Sequence, residues 1–325
     1  MSITIDEKLI KGINIDKKEV IKIQNAKTLN ILWEKVEPDY LYIENVDESD
    51  CELSFKTLTS NTLPPSDKYT NKVEFSTDKE TWTTWNFDTA NTLIIPIGGK
   101  VYLRNNSGVF SYYGTDGYYY LTSIKTTMKC NVGGNLNTLL NYNEEILDIS
   151  DKPSCFRRLF LGAKIVDASK LVMPATTLSR YCYADFFTNN SSLIAPPELP
   201  AVNLAESCYY RFFCECGSLT TSPSLPATTL AVACYMSMYE RCYKLTNSPV
   251  LPATTLVEAS YKEMFASCSS LNEVTVYAND ISAKNCTYNW LNGVASTGTF
   301  NNLGSATYTK DSVSGIPTGW KVVKN

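Results

Sequence analysis

The sequence predicts an α+β multidomain chain in three parts. These are an N-terminal β hairpin arm over 1–37, an antiparallel β sandwich over 38–129, and an α/β solenoid of about six 26-residue units over 130–295, with its own N-terminal cap and a C-terminal cap over 296–325. Three observations predict it. The segment "LPATTL" stands at 225–230 and 251–256 and recurs nearly unchanged as "MPATTL" at 173–178 and "LPAVNL" at 199–204. Short alternating runs bounded by turn residues fill 40–127. The first thirty-six residues repeat an isoleucine-rich pattern of their own.

The arm consists of "ITIDEKLIKGI" followed by "INIDKKEVIKI", with Ile13 shared, and ends in "LNILWEK". Alternation of isoleucine with polar residues around "IDEK" and "IDKK" predicts two short hairpins. An extended, edge-rich segment cannot bury itself, so it is expected to dock on another body through Ile5, Ile13, Ile15, Ile23 and Trp33. The sandwich is predicted from "YLYIENV", "CELSFKTL", "NKVEFSTDKETWTTWNF", "TLIIPIGGKVYLRNNSG" and "GYYYLTSIKTTM", separated by turns at short intervals.

The repeat has a period of 26, fixed by Pro174, Pro200, Pro226 and Pro252. Cys182, Cys208, Cys234, Ser260 and Cys286 follow the same step, and one step of 27 reaches back to Cys155. Paired bulky residues come next, from Leu159-Phe160 through Phe186-Phe187, Phe212-Phe213, Met238-Tyr239 and Met264-Phe265 to Trp290-Leu291. Within one unit Leu230, Cys234, Met238 and Cys242 are spaced by four, which places them on one arc of a helix and predicts an amphipathic helix in every unit. A threonine of "PATTL" supplies its N-cap, and the proline stands outside it. The opposite arc carries Arg180, Tyr181, Ala184 and Asp185 in one unit, Glu206, Ser207, Tyr210 and Arg211 in the next, and Glu258, Ala259, Lys262 and Glu263 later, which predicts a solvated face. Between helices, an extended rung buries one leucine per unit: Leu193, Leu219, Leu245 and Leu271.

Eleven cysteines are present, most of them in two registers of the repeat. Helices pack about 8–10 Å apart, beyond the roughly 7 Å Cα separation that a disulfide spans. Cys182, Cys208, Cys234, Cys242 and Cys268 are therefore predicted as buried core thiols, with Ser260 returning its hydroxyl to the preceding helical turn. Cys214, on the variable arc, is predicted as an exposed free thiol.

A formal charge of −4 with interspersed signs gives no footprint for nucleic acid and no polybasic membrane patch. The start carries charges where a secretory signal needs an apolar core, and no run approaches the ~20 apolar residues of a spanning helix. There is no histidine, which excludes Ser-His-Asp and Cys-His catalysis and His-ligated metals. The carboxylates Glu144, Glu145, Asp148 and Asp151 cluster in a capping segment, where a solvated or helix-end role explains them. The sequence thus predicts a protein that is not an enzyme and carries no cofactor or metal.

The pattern "LPATTLxxxCYxxMFxxCxSLTxxPxLPATTL" resembles the leucine-rich repeats of the BspA surface-antigen type over about 150–295. "FSTDKETWTTW" resembles the "S-x-D-G-x-x-W-T" hairpin of immunoglobulin-like modules in phage and bacterial surface proteins, with Lys79-Glu80 in place of the turn glycine. Together with the leader, the arrangement is similar to proteins encoded by phages of gut bacteria. The resemblance implies an Ig-like sandwich, a leucine-rich-repeat solenoid and a virion structural protein assembled in the host cytoplasm. Its implied partners are other virion proteins, held through the N-terminal arm, and a host cell-surface glycan or protein. The alternatives are a capsid or tail decoration protein without a receptor, and an adhesin on a bacterial cell surface. Tyr181, Tyr210, Met236 and Lys262 are the binding residues this reading selects, and any homotrimer is expected to form through the arm or the sandwich, since no coiled-coil heptad is present.

Overall fold

The structure, a computed structural model, describes residues 22–25, 28–30, 39–59, 73–85, 92–107, 110–113, 119–311 and 313–324. Two compact units partition the chain, Met1–Asp39 and Tyr40–Asn325. In the first, β1 (Lys22–Asn25) pairs antiparallel with β2 (Thr28–Asn30), Ile23 opposite Leu29. The predicted turns "IDEK" and "IDKK", and with them Ile5, Ile13, Ile15 and Trp33, lie outside the described residues.

The second unit opens with strands β3 (Leu41–Asn45), β4 (Cys51–Thr59), β5 (Glu74–Ser76), β6 (Thr83–Thr84), β7 (Leu93–Ile95), β8 (Lys100–Arg104), β9 (Tyr112–Tyr113), β10 (Tyr119–Thr126), β11 (Cys130–Asn135) and β12 (Ile165–Val172). They form a four-stranded sheet, β7-β4-β10-β9, and a six-stranded sheet, β12-β11-β3-β8-β5-β6. Alternation explains the pairing: in β3, Leu41, Ile43 and Asn45 are buried while Tyr42 and Glu44 are half-buried. The sheets meet where Phe55 packs edge-on against Trp85, ring centroids 4.8 Å apart, and where Cys51 faces Cys130. Lys79 takes φ 66°, the left-handed conformation in which a turn glycine is usual. The larger sheet continues past residue 129, because β11 pairs antiparallel with β3 and parallel with β12.

The predicted α/β leucine-rich-repeat solenoid does not form. The described residues are almost entirely strand and turn, with no α-helix; the one helical element among them is a 3₁₀ turn at Leu136–Leu139. The segments expected to be amphipathic helices are ribbons of consecutive turns. Every fourth residue in them is left-handed: Tyr181, Asp185 and Asn189 in one unit, Ser207, Arg211 and Glu215 in the next, then Ala233, Ser237 and Arg241. Each left-handed residue reverses the local twist, so successive N–H groups point alternately inside the turn and toward the neighbouring unit. Cys208 and Tyr210 donate to carbonyls three residues back, at Ala205 and Ser207, whereas Tyr209, Arg211 and Phe213 donate to Cys234, Met236 and Met238 of the next unit.

The reason is periodic. A helix repeats every 3.6 residues, so positions four apart drift by about 40° per step; the turn ribbon repeats every four without drift and runs as two inward residues followed by two outward ones. Asn189, Asn285, Asn289, Gly162 and Gly293 stand at left-handed positions, where glycine and asparagine are the favoured residues. The threonine expected as an N-cap serves a different purpose. Thr177 forms a parallel bridge with Asn203, whose N–H donates to the Thr176 carbonyl, so "PATTL" is the corner at which adjacent units hydrogen-bond.

The extended segments become regular late in the array. β13 (Asn247–Leu251), β14 (Glu273–Val276), β15 (Gly298–Asn302) and β16 (Trp320–Lys324) form a parallel sheet in sequence order. At the other end, the first turn ribbon is covered by β10, where the Ile124 N–H donates to the Leu159 carbonyl at 2.6 Å and the Ser123 hydroxyl to that of Arg158 at 2.6 Å. A continuous apolar core runs from Leu41 to Trp320.

The left-handed alanines give a direct test. A helix interior loses ~1 kcal/mol on Ala→Gly; at φ 55° Ala259 already bears the Cβ penalty that glycine lacks. Ala259→Gly is expected to leave the denaturant midpoint unchanged or raise it, and Ala259→Val to cost about 1–2 kcal/mol. The opposite order, read by urea unfolding, restores the helix.

Candidate attachment surface

The inward rows hold the residues assigned to the core. Cys182, Cys208, Cys234, Cys242, Cys268, Leu193, Leu219, Leu245 and Leu271 are all fully buried. Their aromatic neighbours stack from unit to unit: Phe156, Tyr183, Tyr209, Tyr235 and Tyr261 in one row with centroids 5.7–6.2 Å apart, and Phe160, Phe187, Phe213, Tyr239 and Phe265 in another at 5.5–5.9 Å. Units joined by backbone hydrogen bonds lie at sheet spacing, about 4.8 Å, so the helix-packing distance used to exclude disulfides does not apply. The thiols are nevertheless free. Those of Cys216, Cys242 and Cys268 donate to the carbonyls of Phe187, Phe213 and Tyr239 in the preceding unit at 3.2, 3.2 and 2.9 Å. Small size combined with a donor explains why cysteine recurs there.

Cys214 and Ser260 differ from expectation. Cys214 is fully buried, its Sγ 3.9 Å from a Glu240 carboxylate oxygen, and burial pushes its pKa up to about 12. It is not an exposed thiol, because turn ribbons at sheet spacing cover outward rows that separated helices leave open. The Ser260 hydroxyl is buried without a partner, there being no helical turn behind it.

The outward rows form the candidate surface. Tyr210, Met236 and Lys262 share one register in successive units, Tyr181 lies on an adjoining row, and all four are half-buried. Tyr288 continues the Lys262 register, with Lys262 Nζ 5.8 Å from its ring centroid. This face is not uniformly solvated: Ala184, Asp185 and Ser207 are buried. Asp185 is the centre of a cluster that the helical pattern did not single out. Its carboxylate lies 3.3 Å from Nε of Arg158, 3.5 Å from Nε of Arg211 and 3.9 Å from Nε of Arg157. Beside it, the guanidinium groups of Arg157 and Arg180 each stand 5.1 Å from the Tyr181 ring centroid. Arg180 also reaches Glu206 at 2.8 Å, a hydrogen bond that raises its pKa. Four arginines against two carboxylates leave an excess of positive charge on this end of the face, although the whole chain is acidic.

A sequence signal for this ladder exists. Opposite charges recur at the repeat step: Asp185 with Arg211, Arg180 with Glu206, Glu215 with Arg241 at 2.6 Å, and Glu258 with Lys284 at 3.9 Å. Such pairs are invisible to a helical wheel drawn on one unit.

Among the described residues, no group of three or more acidic or cysteine side chains is placed to hold a metal ion, and no helix is long and apolar enough to cross a membrane. Asp148 accepts from the Ser150 N–H at 2.8 Å, which holds its pKa below the usual carboxylate range; Asp151 contacts Lys152 at 3.3 Å. Comparison of the chain with protein-family models, with curated proteins and with solved structures gave no match in any of the three.

Proposed function

We propose that this chain is a non-catalytic attachment protein of a phage particle, joined to other virion proteins by its N-terminal arm, and that its outward turn face binds an anionic host-surface glycan. One observation carries the ligand class: three arginines share the buried Asp185 carboxylate while a fourth flanks Tyr181. A carboxylate- or phosphate-bearing sugar polymer matches excess guanidinium charge beside the half-buried Tyr181 ring, since guanidinium groups bind such anions through paired charge-assisted hydrogen bonds and tyrosine packs on sugar faces. The fold supports the same division of labour. Inward rows keep one chemistry from unit to unit, whereas outward rows vary and are free to suit a ligand.

The test is a surface-binding assay of the full chain on polygalacturonate, with neutral dextran as control. Binding is expected to polygalacturonate alone, to weaken steeply with salt, and to fall at least tenfold in the double variant Arg158→Gln and Arg180→Gln, from the loss of two charge-assisted contacts. Equal binding to dextran, or an unchanged affinity in the variant, overturns the reading.

A further inference from the structure

The sandwich contains a second chemical site, independent of the outward face. Cys51 begins β4 in the four-stranded sheet, Cys130 begins β11 in the six-stranded sheet, and their sulfurs face each other at 3.5 Å across the interface. Both side chains are buried, yet they lie at one end of the sandwich beneath residues 46–50 and 127–129, all of which are half-buried or exposed. We propose that Cys51 and Cys130 are an oxidisable pair that locks the two sheets together by a disulfide when the protein passes from a reducing to an oxidising environment.

The geometry asks little of the fold. A disulfide holds its sulfurs about 2.05 Å apart, so the two need to approach by about 1.5 Å, within the reach of small χ1 adjustments. The reaction balances with a small-molecule disulfide as oxidant. The Cys51 thiolate attacks one sulfur of that molecule, forming a mixed disulfide and releasing one thiolate; the Cys130 thiol, losing its proton, then attacks Cys51 Sγ and releases the second. Two protein thiols are oxidised by two electrons, one external disulfide is reduced to two thiols, and both protons end on the released thiols.

This pair also differs from the other nine cysteines. The contact between the two sulfurs lowers the pKa of Cys51 and raises that of Cys130. Burial raises Cys155, Cys182, Cys208, Cys214, Cys216, Cys234, Cys242, Cys268 and Cys286 instead, and Cys208 reaches about 12. Attack by a thiolate is thus favoured at Cys51.

The full chain should be incubated folded with oxidised glutathione, and separately with dithiothreitol, then alkylated, digested with trypsin and mapped by mass spectrometry. Joined peptides 36–56 and 130–157 are expected in the oxidised sample alone. Because the bridge spans 79 residues of chain, the thermal midpoint should rise by on the order of 10 °C. Cys130→Ala should lose both the joined peptides and the shift and, because it keeps Cys155, also separates this link from one made by Cys155 in the same peptide; Cys51→Ala serves as the matching control. Cross-links confined to cysteines 155–286, or a Cys51 that stops at the glutathione adduct, overturn the proposal.

Discussion

Replacing Phe212 with alanine should lower the unfolding free energy by about 3–5 kcal/mol, the range for deleting a buried phenylalanine from a core that cannot collapse around the gap. The ring is fully buried in the middle of the array. It stacks on Phe186 at 5.2 Å and meets Tyr183, Phe187, Tyr209 and Phe213 edge-on at 4.6–6.3 Å. The loss should also change the shape of the transition. Each unit is held by its two neighbours, so weakening a central one uncouples the halves and a single denaturant transition should split into two. Phe212→Met should recover most of the loss, to within about 1.5 kcal/mol, because Met238 fills the same register one unit later. A Phe212→Ala variant that unfolds in one transition, with a loss below about 1 kcal/mol, contradicts this account of the core.

The second large effect is electrostatic. Asp185→Ala removes the one carboxylate shared by Arg157, Arg158 and Arg211 and leaves their charges facing one another. Breaking a buried ion pair costs about 3–5 kcal/mol, and the partial exposure of these arginines reduces that to about 2–3 kcal/mol. The variant, unlike the wild type, should be stabilised by added sulfate or phosphate, which can occupy the vacated position among the guanidinium groups. Thermal unfolding with and without sulfate measures both expectations. A variant as stable as the wild type, or one indifferent to sulfate, shows that the arginines are independently solvated.

What was legible in the sequence follows from which physical quantity left a trace. Step length did: Cys182, Cys208 and Cys234 fall 26 apart because backbone donors of one unit must meet acceptors of the next. Alternation in "YLYIENV" likewise marks β3, since one face of that strand is buried and the other is not. Conformation inside the unit was not read, because two inward and two outward residues per four look amphipathic on a helical wheel. The discriminating signal lay in the spacing of four without drift and in Asn189, Asn285, Asn289 and Gly293, poor helix residues suited to φ > 0. The charged cluster was obscured for a related reason. Asp185 and Arg211 belong to different units, and only a sheet-like separation between units lets them meet.

The alternation of internal and cross-unit N–H groups has a genetic consequence. Duplicating or excising a block of 26 residues, for instance from one proline of the series to the next, returns every donor to an acceptor and every ring to a stack. An insertion of a single residue turns one member of each inward pair outward and sets cross-unit donors against groups already engaged. Changes in the chain's reach are thereby restricted to whole modules, so recombination between homologous repeats can lengthen or shorten the protein while point insertions within a ribbon are selected against.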